Sequence, residues 1–374
     1  MADYLYIHIP FCVRKCIYCD FFSVSYDEST VKAYADALCK ELSLRKQPGG
    51  ALKTVYFGGG TPSLLPAECF TVLFGHLRDN FRLSPDTEIT VEANPGTIDE
   101  SKIETLLSLG VNRLSIGVQS FSDGELATLG RIHSSDEACK SIESIRKSGL
   151  RNFSLDLMYG IPGQTKESWR KSFTKAAELS PTHISSYELT PEENTPLALL
   201  ITSGAISMLE EDLILDMYDQ AIDYFGGHGY GHYEISNFAL PGYQCKHNLN
   251  YWNRGEYDGI GAGAHSFEQG IRSKTISDIR KYIETLSRGV LPERESAELT
   301  PAEVLKEYIF LGLRKMEGIN IRQVEEQGSS ILDASRELID EGYLKVTGDY
   351  LSLTRKGIVV SNTIIVRMFE KLGL

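Results

Sequence analysis

Three cysteines lie within eight residues near the amino terminus: Cys12, Cys16 and Cys19, in the run HIPFCVRKCIYCDFF. Cysteine thiolates are the usual ligands of iron–sulfur clusters. A four-iron cluster held by three thiolates keeps one iron open, and an open iron can bind a small molecule and pass an electron to it. The C-x3-C-x2-C spacing therefore predicts a reaction centre rather than a purely structural site.

A structural zinc site is the alternative interpretation of the triplet. Zinc sites use four ligands, usually from paired C-x2-C units, and His8 would have to be the fourth ligand here. Disulfides are disfavoured because the chain has an odd number of cysteines, seven, and no signal peptide follows Met1. We expect Cys39 and Cys139, which fall in helix-like segments, to be buried apolar fillers.

Length and charge exclude several classes of protein. A chain of 374 residues with 42% hydrophobic residues can form one large domain and a smaller one. The net charge of -13 argues against a nucleic-acid partner, because an acidic surface repels phosphates. No segment approaches the roughly 20 apolar residues that a membrane span needs. We therefore expect a cytoplasmic protein.

Residues 4–190 alternate between short β-branched or aromatic runs and longer segments with helical periodicity. This alternation predicts six β–α units and a parallel sheet. Six strands are too few for a closed eight-stranded barrel, so the expected fold is α/β, a partial (βα)6 TIM-like barrel. The predicted strands are 4–10, 54–57, 88–93, 113–118, 152–158 and 183–188, and the predicted helices are about 29–46, from 66, 99–110, 135–148 and 165–179.

Polar and glycine-rich features follow the predicted strands at their carboxyl ends, where such folds place their chemistry. These features are the cysteine loop, the turn Gly58-Gly59-Gly60-Thr61-Pro62, Glu92 with Asn94, Gln119, and Asp156 late in the fifth strand. S-adenosylmethionine would suit an open iron, since it offers an amine and a carboxylate beside an electron-poor sulfonium. Glycine backbone could approach its amine, Glu92 could accept from its ribose, and Gln119, Arg131 and Asp156 could complete the cage.

Each of these features also has an ordinary structural interpretation. A triple-glycine turn is more often only a turn. Glu92 could belong to a structural ion pair, and Arg131 could be a solvated charge at a helix end. Only the cysteine triplet is strong evidence for a functional site by itself. The other features support such a site because all of them are predicted to lie on the same rim.

Beyond residue 200 the alternation fades. An amphipathic helix is predicted over 207–226, followed by a polar and aromatic stretch over 232–266. From about residue 300 a helical unit ends in a hairpin over 343–354, turned at Gly348-Asp349, which resembles a winged helix in an adaptor or lid role. We expect three regions: residues 1–200, 201–295 and 296–374.

The motifs CVRKCIYC, YFGGGTP, VEANPG, SIGVQSF and DLMYGIPGQT resemble those of the radical S-adenosylmethionine (SAM) enzymes. More narrowly, the whole chain resembles the oxygen-independent coproporphyrinogen III oxidase group and, through HNLNYW at 247–252, its HemW branch of haem chaperones. The resemblance implies that Cys12, Cys16 and Cys19 bind a [4Fe-4S] cluster. It also implies SAM contacts at Tyr6, Gly59, Gly60, Thr61, Glu92, Gln119, Arg131 and Asp156.

Two departures from the oxidases bear on function. The oxidases carry a further cysteine two residues after the third, where this chain has Phe21, and they have a longer segment before the first strand. The resemblance therefore implies haem binding and delivery to haem-requiring respiratory proteins, with a homodimer as a further expectation. Coproporphyrinogen III oxidation, or another radical reaction on a tetrapyrrole, is the alternative.

His247 is the first candidate for an axial ligand of haem iron, because imidazole suits iron. Tyr251 and Trp252 could then stack on the porphyrin. His232, His265 and Cys245 are rival ligands by their chemistry. The alternative is that His247 belongs to a buried hydrogen-bond network in which every polar group has a partner.

Overall fold

The computed structural model describes residues 2–45, 50–325 and 331–374. The strands within these residues are β1 (Tyr4–Ile9), β2 (Phe11–Cys12), β3 (Val24–Ser25), β4 (Ala51–Gly59), β5 (Arg82–Ala93), β6 (Arg113–Gln119), β7 (Phe153–Tyr159), β8 (His183–Glu188), β9 (Gly231–Glu234), β10 (Asn237–Ala239), β11 (Asp258–Ile260), β12 (His265–Glu268), β13 (Ile271–Thr275), β14 (Arg294–Glu298), β15 (Ile319–Asn320), β16 (Leu344–Thr347) and β17 (Tyr350–Leu353).

The helices in the same residues are α1 (Glu28–Leu44), α2 (Ala67–Asn80), α3 (Glu100–Ser108), α4 (Asp123–Thr128), α5 (Ser135–Lys147), α6 (Lys166–Glu178), α7 (Pro196–Thr202), α8 (Glu211–Gly227), α9 (Lys246–Trp252), α10 (Ile279–Ser287), α11 (Pro301–Gly312), α12 (Arg322–Glu325), α13 (Ile331–Asp340), α14 (Arg355–Ile358) and α15 (Ser361–Leu372). A 3₁₀ turn, Pro62–Leu64, follows β4.

The main sheet has nine strands within the described residues, in the order β11-β1-β4-β5-β6-β7-β8-β10-β9. Its centre is the predicted set of six strands, β1, β4, β5, β6, β7 and β8, paired in parallel. Helices α1, α2, α3, α5 and α6 follow strands of this set as crossovers. The predicted partial α/β barrel is confirmed.

Two of the predicted strands extend further than expected, and two edges of the sheet come from the region beyond residue 200. Pairing of Leu52 with Leu83 lengthens β4 and β5 at their amino ends. At one edge β11 pairs in parallel with β1, and at the other β10 pairs antiparallel with β8. These added strands span three or four residues, too few for a periodicity to be recognised.

The helix caps explain why the chain turns where it does. Helix α1 begins after Asp27, whose carboxylate accepts the Thr30 backbone N–H at 2.8 Å, rather than after Ser29 or Thr30 as predicted. The hydroxyls of Ser29 and Thr30 instead donate to the same carboxylate. The predicted end of this helix at residue 46 lies outside the described residues.

The strands bury apolar side chains on their helix-facing side and polar side chains inside the barrel. Val55, Phe57, Val91 and Leu114 belong to the hydrophobic core. Their neighbours one residue along the chain point the opposite way, because side chains alternate along a strand. The interior of the barrel is therefore lined by polar groups, and the site is built from them.

The carboxyl-terminal region contains the predicted hairpin, β16 and β17, in a three-stranded sheet with β15 in the described part of the chain. Helices α11 and α13 pack beside it, and α15 packs against these two helices, which agrees with the predicted helical, winged-helix-like unit. This region contacts the barrel through Arg355, which binds Asp219 on α8 at 2.7 Å. Among the described helices, none has the length and hydropathy needed to cross a membrane.

Candidate functional site

The cysteine loop is held in place by backbone pairing on both sides. β2 and β3 close its base in parallel, and Tyr26 N donates to the Cys12 carbonyl at 2.9 Å. At the far side Ile17 N donates to the Leu129 carbonyl, and Leu197 N donates to the Ile17 carbonyl. The loop therefore keeps a defined shape, with its three thiols free and half-buried.

A continuous chain of polar contacts joins two of the cysteines across the rim. Cys12 Sγ lies 3.7 Å from Thr61 Oγ1, and Asn94 Nδ2 donates to the same hydroxyl at 2.9 Å. Arg131 Nη2 donates to Asn94 Oδ1 at 2.6 Å, while its Nη1 lies 3.5 Å from Cys16 Sγ. The cysteine loop, the glycine turn and the end of β5 thus converge, as the sequence predicts.

The glycine turn packs directly against the start of the cysteine loop. A Cβ on Gly60 would lie 2.7 Å from the Phe11 carbonyl oxygen, and one on Gly59 would lie 2.6 Å from the His8 ring. Gly59 also has a φ of 119°, which side-chain-bearing residues rarely adopt. Close packing within the chain therefore requires glycine at these positions, in addition to any approach by a ligand.

Glu92 lies beside the glycine turn and is engaged on both carboxylate oxygens. Tyr56 donates its hydroxyl to Oε1 at 2.8 Å, and Gly59 N donates to Oε2 at 3.2 Å. Burial raises the pKa of this carboxyl to about 7, against the opposing effect of the Tyr56 hydrogen bond. Its partners are hydrogen-bond donors, so the structural ion pair weighed as the alternative does not describe it.

Asp156 lies in the middle of β7 rather than late in it. Its carboxylate accepts from three hydroxyls, those of Ser185 at 2.7 Å, Ser115 at 3.1 Å and Ser154 at 3.3 Å. Burial raises its pKa. Asp156 therefore forms a second polar group inside the barrel, separate from the contacts that join Arg131 to the cysteines.

Gln119 and Arg131 meet at the end of β6. Gln119 has a φ of 65°, and the pairing of β6 with β7 shifts register between Gly117 and Gln119. Arg131 Nη2 donates to the Gly117 carbonyl at 2.6 Å, where a Cβ on residue 117 would come within 3.0 Å of Gln119 Nε2. A left-handed backbone at a non-glycine residue is the local strain that often accompanies functional sites.

Tyr6 and His247 meet in an aromatic stack below the rim. The Tyr6 ring stacks on Tyr56 at 6.2 Å and on His247 at 6.3 Å. His247 is 1% exposed, and its Nδ1 and Nε2 lie 2.6 Å from Thr54 Oγ1 and 2.8 Å from Tyr251 Oη. Both ring nitrogens are therefore hydrogen-bonded, so His247 can bind haem iron only if one of these hydrogen bonds is broken.

The structure thus favours a buried hydrogen-bond network as the role of His247. The three rival candidates for the haem ligand differ in how far they are exposed. Burial lowers the pKa of His247 to about 3, which keeps the ring neutral. Cys245 is buried, and His232 is half-buried and stacked on Phe238. His265 on β12 is exposed.

The sequence does not predict the contacts that two residues of the site make. It places Asn94 at the rim, but it does not indicate that Asn94 bridges Thr61 and Arg131. Arg113 is 2% exposed at the start of β6, and its Nε and Nη1 have no hydrogen-bond partner in the described parts of the chain. From the sequence, an arginine at the first residue of a strand is expected to be a surface charge. The structure shows that this one is buried, because its side chain points into the barrel.

The donor set fits a multi-iron cluster better than a zinc ion. Within residues 2–45, 50–325 and 331–374, no three or more His, Cys, Asp or Glu side chains are grouped to hold one ion. His8, the fourth ligand that zinc would need, has its Nδ1 on Tyr6 Oη at 2.9 Å and its Nε2 on the Phe22 carbonyl at 3.0 Å. A [4Fe-4S] cluster does not need its three cysteines to surround one ion, because each thiolate binds a different iron of the cluster.

Comparisons with known proteins agree with this geometry. Residues 6–176 match the model of the Radical SAM superfamily, and residues 299–360 match that of the HemN C-terminal domain. A solved structure of coproporphyrinogen III oxidase (HemN) from Escherichia coli superposes with a TM-score of 0.82 over 98% of this chain and 89% of that chain, at 22% identity. Fold and cysteine loop together define a radical SAM protein, a class whose cofactors are a [4Fe-4S] cluster and SAM.

Relatives that match along nearly the whole chain identify the family within the radical SAM proteins. The haem chaperone HemW of Bacillus subtilis (strain 168) is 36% identical over 367 residues, covering 96% of this chain and 97% of the relative. HemW of Escherichia coli (strain K12) is 37% identical over 378 residues, covering 96% of each. The chain belongs to the HemW family.

Proposed function

We propose that this protein is a cytoplasmic haem chaperone of the HemW type. It binds haem and delivers it to haem-requiring respiratory proteins. The observation that carries the proposal is the match along the full length of the HemW relatives. A match confined to the barrel would fit any radical SAM protein, whereas this one also includes α9 and the carboxyl-terminal region.

Cys12, Cys16 and Cys19 would hold the [4Fe-4S] cluster, and SAM would lie on the rim above β4 to β7. When bound, the cluster supplies an electron that can cleave a carbon–sulfur bond of SAM. The proposed SAM contacts are Tyr6, Gly59, Gly60, Thr61, Glu92, Gln119, Arg131 and Asp156.

The chain's own residues position these groups. The contact chain from Cys12 through Thr61, Asn94 and Arg131 to Cys16 fixes the cysteine loop relative to the strand ends. Arg131 also brings a positive charge to the sulfur side of the site, where the anionic cluster would lie. Glu92, held by the Tyr56 hydroxyl, presents a carboxylate for the hydroxyls of the SAM ribose.

Haem transfer rather than tetrapyrrole turnover is supported by the residue beside the cluster loop. Phe21 is 64% exposed, at the position where the oxidases are expected to carry a further cysteine. An exposed aromatic ring can contact a porphyrin face but cannot act as a thiol. We further propose that the chain forms a homodimer in at least one of its cofactor states.

The test is an anaerobic incubation of reconstituted protein with SAM, reductant and coproporphyrinogen III, in parallel with a haem titration. Stoichiometric haem uptake without protoporphyrinogen IX is expected. Formation of protoporphyrinogen IX over many turnovers would overturn the proposal and favour the oxidase. Cys16→Ser should lose the cluster, whereas Cys139→Ser, a half-buried cysteine on α5, is the matched control and should retain it.

A further inference from the structure

The end of β6 forms a strained turn at the rim of the barrel. Ser120 N donates to the Val118 carbonyl at 2.8 Å, and the residue between them, Gln119, has a φ of 65°. A hydrogen bond across two residues with a positive φ at the central one is the strained form of the γ-turn, which residues with a side chain rarely adopt. Gln119 therefore needs support from its surroundings to keep this conformation.

The strand pairing on either side of the turn is irregular. Pairing of β6 with β5 ends at Ile116. Pairing with β7 passes from Gly117 to Gln119 while β7 advances by one residue, so Val118 is the extra residue of a bulge. Because the regular ladder is interrupted here, the support for the turn must come from elsewhere in the chain.

Two side chains from the segment after α4 bind the backbone of this turn. Arg131 Nη2 donates to the Gly117 carbonyl at 2.6 Å, and His133 Nε2 lies 3.1 Å from the Val118 carbonyl oxygen. His133 is buried, and burial together with the nearby Arg131 charge lowers its pKa to about 4, so the ring is neutral near pH 7. A neutral imidazole has one N–H and a carbonyl only accepts, so Nε2 carries the proton and His133 is the donor.

The segment that carries both donors is itself fixed at each end. At its start, α4 ends in a Schellman cap, in which the N–H groups of Gly130 and Arg131 donate back into the helix at 3.0 Å and 2.9 Å. At its other end, Ser134 and Glu137 form a capping box at the start of α5. His133 lies directly before this box, so it reaches β6 from a well-held segment.

The turn places the Gln119 side chain over Gly117, beside other polar groups of the rim. A Cβ on Gly117 would lie 3.0 Å from Gln119 Nε2 and 3.3 Å from Arg131 Nη2. Asn94 Oδ1 lies closer still, 2.7 Å from the same position. Gln119 is half-buried, so part of the residue remains accessible to a ligand on the rim.

We propose that His133 is a positioning residue for SAM: its hydrogen bond to the Val118 carbonyl holds the γ-turn that presents Gln119 to the ligand. His133 acts through Gln119 and needs no contact with SAM. Without this donor the turn keeps only the bond from Ser120 N, so relaxed conformations of Gln119 compete, and the apparent affinity for SAM falls with the fraction of chains that are ready to bind. The inference rests on the SAM contact proposed for Gln119 and adds the residue that supports it.

The experiment compares variants of the full chain, reconstituted anaerobically with its cluster. His133→Phe keeps an aromatic ring and removes the donor. His133→Gln and His133→Asn are a matched pair, because the amide nitrogen of glutamine can take the place of Nε2 whereas that of asparagine is too close to the backbone to reach. His76→Phe is the control, since His76 on α2 is also hydrogen-bonded, with its Nδ1 2.9 Å from Ser43 Oγ, but in the outer helix layer.

SAM is titrated against the electron paramagnetic resonance signal of the reduced cluster, bound iron and sulfide are measured, and circular dichroism checks folding. We expect His133→Phe and His133→Asn to keep their cluster and to bind SAM about fivefold more weakly, roughly the value of one buried hydrogen bond. His133→Gln and His76→Phe should bind SAM as wild type does. In the Gln119→Ala background, His133→Phe should cause no further loss, because its effect passes through Gln119.

The proposal is overturned if His133→Phe binds SAM as wild type does, or if it weakens SAM binding as much in the Gln119→Ala background as it does alone. If His133→Phe does not fold, equal SAM affinities of His133→Gln and His133→Asn overturn the proposal. A Gln119→Ala chain that binds SAM like wild type would remove the proposed SAM contact, and the role of His133 with it. No measurement uses haem, so failure of the chaperone function cannot be mistaken for failure of this inference.

Discussion

Replacing His247 with alanine separates a structural role from haem ligation. The change leaves Thr54 Oγ1 and Tyr251 Oη without their partner in the protein interior. An unsatisfied buried polar group costs about 1–3 kcal/mol, so the two together should destabilise the barrel by about 2–6 kcal/mol. Loss of the stack on Tyr56, whose ring centroid lies 4.9 Å away, adds to this.

The assay is urea unfolding of the cluster-free chain followed by far-UV circular dichroism, with His228→Ala as the control. His228 is exposed at the end of α8, where its Nδ1 lies 2.7 Å from the Tyr224 carbonyl oxygen, so its removal should cost roughly 0.5 kcal/mol. Haem titration is carried out on both variants. A His247→Ala chain that unfolds like wild type but no longer binds haem would refute the buried-network role and establish His247 as the ligand.

Three further predictions follow from the site. Because the pKa of His247 is about 3 in the folded chain and 6.5 when unfolded, its contribution to stability is present above pH 6.5 and is lost as the pH falls toward 3. Between pH 7 and pH 5 the loss is about 2 kcal/mol, so urea unfolding of His247→Gln should depend less on pH than wild type, and equal dependence would contradict the shifted pKa. Gly60→Ala should displace Phe11 and weaken SAM binding about tenfold or more. Gly75→Ala is the control, because the space around its Cβ is open, and it should stabilise α2 and leave SAM binding unchanged. Equal SAM affinity in the two variants would contradict the argument that close packing at Gly60 shapes the site. Asn94→Ala should reduce the yield of cluster reconstitution, measured as bound iron and sulfide, and a yield equal to wild type would show that the cysteine loop holds its shape without the bridge.

The sequence predicts the central six strands because each is a compact apolar run separated by a helical segment. It predicts the rim for a physical reason as well: residues that follow parallel strands must meet at one edge. It cannot reveal that Asn94 joins Thr61 to Arg131, because that bridge depends on side-chain directions in three separate segments, two that follow strands β4 and β5 and one that follows helix α4. Arg113 was missed because burial of a charge is set by the tertiary fold and not by its neighbours in sequence.

His247 illustrates the opposite difficulty. The HNLNYW segment carries residue types that can bind haem, and chemistry alone cannot distinguish a ligand from a buried hydrogen-bonding group. The distinction depends on where α9 docks. Its position is decided by contacts with β4 and β5, which lie far earlier in the chain, such as the hydrogen bond from His247 N to Glu88 Oε1 at 3.3 Å across 159 residues.

The most direct measurement for the site is electron paramagnetic resonance of the anaerobically reconstituted and reduced chain, recorded with and without SAM. A cluster held by Cys12, Cys16 and Cys19 with one open iron predicts a [4Fe-4S] signal that changes when SAM is added and that is absent from Cys16→Ala. A signal indifferent to SAM, or one that persists in Cys16→Ala, would contradict the account.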